Sequence, residues 1–168
     1  MMKRCGILFN GKQNNFFSYL DWIINQQKVE NFCISSVFTN NVDYVKSKYK
    51  NITVSNSVES VLEDSDVVFS LGYWKVLSSS QILKVPMGIV NFHHSYKLKY
   101  RGRHCATWVI INEEQVHGST MHFIDETLDE GEIVETRSFP VSSCDTAEDL
   151  FIKSNNLGLD ILKDNFKN

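Results

Sequence analysis

The sequence predicts an α/β fold: a mostly parallel sheet with helices on both faces and an antiparallel extension near the C-terminus. Two observations carry that expectation. Short apolar runs at residues 5–9, 32–38, 66–71 and 88–92 alternate with stretches of helical period, the pattern of parallel strands covered on both sides. Two later runs, 119–124 and 133–141, have no long helix between them, so they are expected to pair antiparallel. A length of 168 residues suits one domain, 1–168, and no linker, internal repeat or low-complexity stretch divides it.

The elements follow in order. CGILF (5–9), bounded by Asn10-Gly11, reads as the first strand. Phe16, Phe17, Leu20, Ile23 and Ile24 recur at helical spacing, so residues 14–27 are expected to form an amphipathic helix. FCISSVF (32–38) is a second strand, 42–49 a short helix and 52–54 a brief third strand. Val58, Val61 and Leu62 make a turn or two of helix within 57–63. DVVFSL (66–71) is a strand ending in Gly72, 77–83 a short helix before Pro86, and 88–92 the next strand. Residues 104–114 read as helical with Trp108 and Ile111 inward. Asp145 is placed as the cap of a last helix, with Glu148 completing a capping box and Leu150, Leu157, Ile161 and Leu162 forming its apolar face.

Composition excludes several classes. The net charge of −3 gives no reason to expect nucleic acid, although KLKYRGRH (97–104) is a local basic patch suited to a phosphate-bearing ligand. No segment approaches the length of a membrane span, and the apolar run at the start is too short for a signal peptide. Cysteines 5, 33, 105 and 144 form neither a CxxC pair nor a zinc spacing, and Cys5 and Cys33 read as small buried hydrophobes. A reducing, cytoplasmic compartment is the expectation. Histidines 93, 94, 104, 117 and 122 lack the i, i+4 spacing of a helical zinc pair, so no metal is expected. The first strand is not followed by GxGxxG, which argues against a nicotinamide site. Cys105 has no histidine fixed beside it by the sequence and is not expected to be a nucleophile.

The informative stretch is VNFHHSYKLKYRGRH (90–104), where an apolar strand ends in polar, titratable side chains. Ligands of open α/β sheets bind beyond the carboxyl ends of strands. Two such ends are marked, Ser70-Leu71-Gly72-Tyr73 and Asn91-Phe92-His93, and the acidic segment 125–131 follows the strand carrying His122. Asn91 and His93, two apart, share one side of an extended backbone. An amide can donate to a developing oxyanion, and a carboxylate beside a histidine favours the imidazolium. Asn91, His93 and Asp129 therefore suit attack of an amine on a carbonyl. The same residues equally fit a bland reading: a chain-turning Asn, a hydrogen-bonded loop His and a turn-capping Asp.

Two long motifs carry a family resemblance. NFHHSYKLKYRGRH, with Trp108 and Ile111-Asn112 after it, resembles the first signature of the folate-dependent formyltransferases: Asn-x-His-x-Ser, then Tyr-Arg-Gly, then a helix. HGSTMHFIDETLDEGEIV (117–134) resembles the second, a Gly-x-Thr-x-His strand followed by an acidic loop with Leu-Asp-x-Gly. The likeness is strong over roughly residues 66–165 and weak before. It implies a Rossmann-like catalytic domain, 10-formyltetrahydrofolate as formyl donor and a primary amine as acceptor. By motif, Asn91, His93 and Asp129 match the family's catalytic triad. His93 would take the amine's proton or stabilise the tetrahedral intermediate, Asn91 would hold the formyl oxygen, and Asp129 would orient and charge His93. Gly72, Tyr73, Trp74, Lys75, Val76 and Leu77, with Asp125 and Glu126, match the pterin-contacting stretches; plain packing is the other reading for Trp74. His94, Tyr100, Arg101, Gly102, Arg103 and His122 are expected on the acceptor side, His122 being alternatively a satisfied strand histidine.

Departures from the pattern shape the expected substrate. His94 stands where Pro is common, and Tyr96-Lys97-Leu98 where Leu-Leu-Pro is common. Residues 10–14 only loosely echo the Gly-x-Gly-Ser-Asn loop of glycinamide ribonucleotide enzymes. The large C-terminal barrel of methionyl-tRNA enzymes is not expected, and the acidic balance points away from tRNA. The expected acceptor is an amino sugar linked to a nucleotide, with residues 97–104 near its phosphates. Alternatives are a glycinamide ribonucleotide-type transformylase, a formyltetrahydrofolate hydrolase and a binding-only domain. A homodimer through an exposed helix or strand edge is a further expectation.

Overall fold

The structure, a computed structural model, describes residues 2–10, 16–27 and 31–166. The chain divides into two compact units, Met1–Asn91 and Phe92–Asn168. The first contains β1 (Lys3–Phe9), α1 (Phe17–Gln26), β2 (Phe32–Thr39), α2 (Val42–Lys48), β3 (Val54–Ser55), α3 (Val58–Glu63), β4 (Val67–Leu71), α4 (Ser79–Ile82) and the start of β5 (Ile89–His93). Its strands run in the order β3-β2-β1-β4-β5, all parallel. The chain moves outward from β1 to β3 and then back past it to β4 and β5. Right-handed crossovers therefore put α1 and α2 on one face and α3 and α4 on the other. Burial on both faces explains the unbroken apolar runs: Ile7, Leu8, Val37, Val68 and Leu71 have no exposed surface.

Local chemistry sets the element ends. Ser57 accepts from the Ser60 amide at the start of α3, and Ser78 forms a capping box with Gln81 at the start of α4. The expected helix at 77–83 is thereby reduced to a single turn, with Leu77 buried ahead of it. The third strand is two residues long and sits at 54–55, opposite Val37 and Phe38 of β2. Helix α1 begins at Phe17; positions 14 and 15 of the expected helix, and 11–14 of the loose loop echo, lie outside the described residues. Gly72 ends β4 at φ +69°, and a side chain there would press on the Phe16 ring at 2.9 Å.

The second unit contains the end of β5, a short 3-10 turn (Tyr96–Leu98), α5 (Cys105–Ile111), β6 (Val116–Phe123), β7 (Ile133–Pro140) and α6 (Ala147–Asn165). Strand β6 follows β5 in the sheet order and pairs antiparallel with β7, the expected extension. Helix α6 packs on β6 and β7 and buries Leu150, Ile161 and Leu162.

Two expectations are corrected here. Trp108 and Ile111 face outward, 51% and 60% exposed, while Cys105, Ala106 and Val109 face in. These smaller residues allow α5 to lie close to Leu150 of α6. The cap of α6 is Thr146 with Asp149, one residue later than Asp145 with Glu148. Asp145 is engaged otherwise, accepting from the Ser142 amide and pairing with Lys153.

Candidate active site

The second unit gathers a cluster around Asp129. Its carboxylate is nearly buried between two imidazoles: Oδ2 lies 3.6 Å from His93 Nδ1, and Oδ1 lies 3.8 Å from His122 Nε2. The Gly102 amide donates to Oδ2 at 2.7 Å. His93 comes from the end of β5 and His122 from β6, where the register slips between Met121 and His122. Such a bulge re-aims the side chain that follows it. Asp129 reaches the cluster from the loop after β6, in a left-handed conformation at φ 51°. That loop returns at Gly131, where an added Cβ would overlap the Phe123 carbonyl.

Hydrogen bonding assigns the tautomers. A carbonyl oxygen only accepts, so His93 Nε2, 2.5 Å from the Tyr100 carbonyl, carries a proton. In the neutral ring the lone pair is then on Nδ1, the nitrogen facing Asp129. Likewise His122 Nδ1 donates to the Phe123 carbonyl at 2.9 Å. Burial lowers the His122 pKa, against opposing contributions from that carbonyl and from Asp129. The Cys105 thiol lies 3.5 Å from His93 Nε2 and 3.5 Å from the Tyr100 carbonyl. Burial, then the Asp129 charge, push its pKa up to about 11, so it is a protonated thiol and not a nucleophile.

The remaining sequence-selected residues take varied positions. The Tyr100 hydroxyl donates to Glu114 at 2.7 Å and accepts from Asn112, which fixes the loop before α5. Lys99 also pairs with Glu114, and Arg101 with Glu130. Arg103 is exposed. His94 stacks edge-on against Phe151, and its Nε2 is shielded from solvent although the residue as a whole is half-exposed. Burial, then His93 and His117, push its pKa down to about 3. Asp125 closes its own turn by accepting from Thr127, and Glu126 is exposed. In the first unit, Asn91 lies on β5 in register with Ser70 of β4. Gly72 and Tyr73 are half-buried, Trp74, Lys75 and Val76 exposed, and Leu77 buried. The Gly102 amide and Cys105 were not anticipated as neighbours of Asp129 and His93. A backbone donor leaves no side-chain signal, and the glycine of Tyr-Arg-Gly was its only pointer.

Among the described residues no group of three or more His, Cys, Asp or Glu is arranged to hold a metal, and no helix is long and apolar enough to cross a membrane.

Comparison with known proteins adds three findings. The family model described as formyl transferase matches residues 15–164. The bifunctional polymyxin resistance protein ArnA of Wigglesworthia glossinidia brevipalpis is 39% identical over 89 residues, 52% of this chain and 14% of its own length. Methionyl-tRNA formyltransferase of Ruminiclostridium cellulolyticum is 36% identical over 108 residues, 64% of this chain and 35% of its own. The chain thus spans well under half of these curated relatives. Among solved structures, glycinamide ribonucleotide transformylase 1 from Symbiobacterium toebii superposes with a TM-score of 0.81 at 21% identity, covering 97% of this chain and 85% of that one. A sugar N-formyltransferase from Shewanella superposes at 0.79 and 20% identity, covering 99% and 69%. At these identities the structures establish the shared fold.

Proposed function

The chain belongs to the formyl transferase family, and on that premise we propose that it moves a formyl group from 10-formyltetrahydrofolate to a primary amine, the amino group of a nucleotide-linked sugar. The observation that carries the reading is Asp129 held between His93 and His122 by the Gly102 amide. In such a transfer the acceptor nitrogen forms a bond to the formyl carbon, the bond from that carbon to the donor nitrogen breaks, and the amine gives up a proton. His93 Nδ1 carries the lone pair that can take that proton. The resulting imidazolium would have one N–H toward Asp129 and the other on the Tyr100 carbonyl. His122, whose Nε2 lies 3.8 Å from Asp129 on the other side of the carboxylate, is assigned to orienting the acceptor amine. Asn91 is assigned the formyl oxygen, where losing an oxyanion donor typically slows turnover roughly 100- to 1,000-fold.

The donor supplies an activated one-carbon unit. We assign its pterin to residues 72–77, where Trp74 and Val76 leave apolar surface exposed, and to Asp125 and Glu126. His94, Tyr100, Arg101, Gly102 and Arg103 are assigned to the acceptor side: Tyr100 shapes the loop, Gly102 holds Asp129, and Arg103 offers a cation. We further propose that residues 1–168 act as one catalytic domain, in a reducing cytoplasm that keeps its four cysteines free. The proposal includes a homodimer, for which α5 turns Trp108 and Ile111 outward; sedimentation across a concentration series would reveal it.

The test is tetrahydrofolate release from 10-formyltetrahydrofolate, with amino-sugar nucleotides, glycinamide ribonucleotide, methionyl-tRNA or no acceptor. Release with an amino-sugar nucleotide alone is expected, and His93→Asn should abolish it while folate binding persists. Release without any amine would replace transfer by hydrolysis. Full turnover in His93→Asn would overturn the assignment of the base.

A further inference from the structure

The first unit holds a cleft of about 410 Å³ that none of the motifs above uses. It opens beyond the carboxyl ends of β2 and β3, the edge at which open α/β sheets bind ligands. Its size falls within the range of small-molecule sites. Phe38, Val42 and Val54 give it apolar walls, and Thr39, Ser55, Asn56 and Lys46 supply polar groups.

These groups differ in availability. The Thr39 hydroxyl accepts from the Asn41 amide, and Ser55 closes a turn onto Ser57. Lys46 stands apart. Lys48, Lys84, Lys99, Lys153 and Lys163 each pair with a carboxylate, but Lys46 has no carboxylate partner among the described residues. Phe38 is half-buried, and its ring packs perpendicular to Tyr73 with centroids 6.0 Å apart, which restrains the ring at the cleft wall. A fixed aromatic wall, an uncommitted ammonium and an exposed amide at Asn56 suit one ligand class: a planar base joined to phosphate.

We propose that this cleft binds the nucleoside phosphate portion of a nucleotide, with the base against Phe38 and the phosphate at Lys46. The inference rests on the reading of the acceptor as nucleotide-linked and adds where the nucleotide is recognised. Lysine acts here as a point charge for phosphate, and an aromatic ring stacks with any base, so the cleft selects nucleotides as a class.

Equilibrium binding of uridine diphosphate and thymidine diphosphate to the full chain tests this without turnover. Phe38→Leu, which keeps bulk but loses the ring, should weaken both by about tenfold. Lys46→Gln should weaken them roughly fivefold and reduce the sensitivity to salt. Unchanged binding in both variants, no binding by the wild type, or equally tight binding of inorganic diphosphate would each overturn the proposal. The two readings fail separately. Nucleotide binding that depends on Phe38 without formyl transfer to any amine keeps the cleft and removes the transferase. Transfer to an amino-sugar nucleotide with unaltered KM in both variants removes the cleft and keeps the transferase.

Discussion

Gly131→Ala should inactivate the protein without unfolding it. The added Cβ would overlap the Phe123 carbonyl oxygen and stand 2.8 Å from the carbonyl carbon and 3.4 Å from the Asp125 amide nitrogen. The contact to the oxygen falls far inside the roughly 3.5–4.0 Å of unstrained contacts of carbon, so the backbone must yield by more than about 1 Å. All three obstructing atoms are main chain, and no rotamer change relieves them. The shift passes to Asp129, two residues earlier, which is held by one 2.7 Å bond from the Gly102 amide. Lengthening that bond by 1 Å breaks it and withdraws the carboxylate from His93. Misplacement of that size costs on the order of 100-fold in rate. The stability loss should be limited to about 1–3 kcal/mol, which leaves the chain folded, because the loop lies at one end of the β6–β7 pair. Initial rates of tetrahydrofolate release, beside a urea titration of the same sample, separate the two effects. A variant with wild-type kcat would show that the loop's approach to Phe123 does not position Asp129, and would refute the reasoning.

Two further predictions concern stability. Burial, then the His93 charge, push the His117 pKa down to about 4, and its Nε2 has no hydrogen-bond partner among the described residues. The unfolded chain takes up this proton near the ordinary value of about 6.5, whereas the folded chain resists it, so stability is full above that pH and falls as pH drops toward 4. The loss amounts to about 3 kcal/mol, and His94 adds in the same direction. Urea midpoints between pH 7.5 and 4.5 should fall in the wild type and flatten in His117→Phe; equal slopes would exclude His117 as the cause. At the start of α6, Thr146→Ala should cost about 1 kcal/mol, whereas Glu148→Ala should stay within roughly 0.5 kcal/mol. The reverse order would restore the cap frame one residue earlier.

Much of the fold was legible because burial on both faces leaves unbroken apolar runs, as in β1, β2, β4 and β5. Helix α5 was misoriented because seven residues give too little periodicity to set its phase. Large side chains were expected inside, but close approach to Leu150 selected Cys105, Ala106 and Val109. The cap of α6 slipped because Asp145-x-x-Glu148 and Thr146-x-x-Asp149 satisfy one pattern, and only the Lys153 and Ser142 contacts decide between them. At the site, His93 and Asp129 were selected by motif and are 3.6 Å apart in the structure. The Tyr100 carbonyl and Gly102 amide that fix their geometry belong to the main chain, and sequence does not mark which backbone groups fold toward a side chain.

The ion pairs of Lys99 with Glu114 and Arg101 with Glu130 bear on how this surface meets a polyanion. In the basic stretch 97–104, only Lys97 and Arg103 keep a permanent charge without a carboxylate partner among the described residues. Binding to a nucleic acid releases condensed counterions in proportion to the phosphates neutralised, roughly 0.7–0.9 per contact. Two such cations give a salt exponent of about −1.4 to −1.8, so at physiological ionic strength this stretch makes too few contacts to track a nucleic-acid backbone.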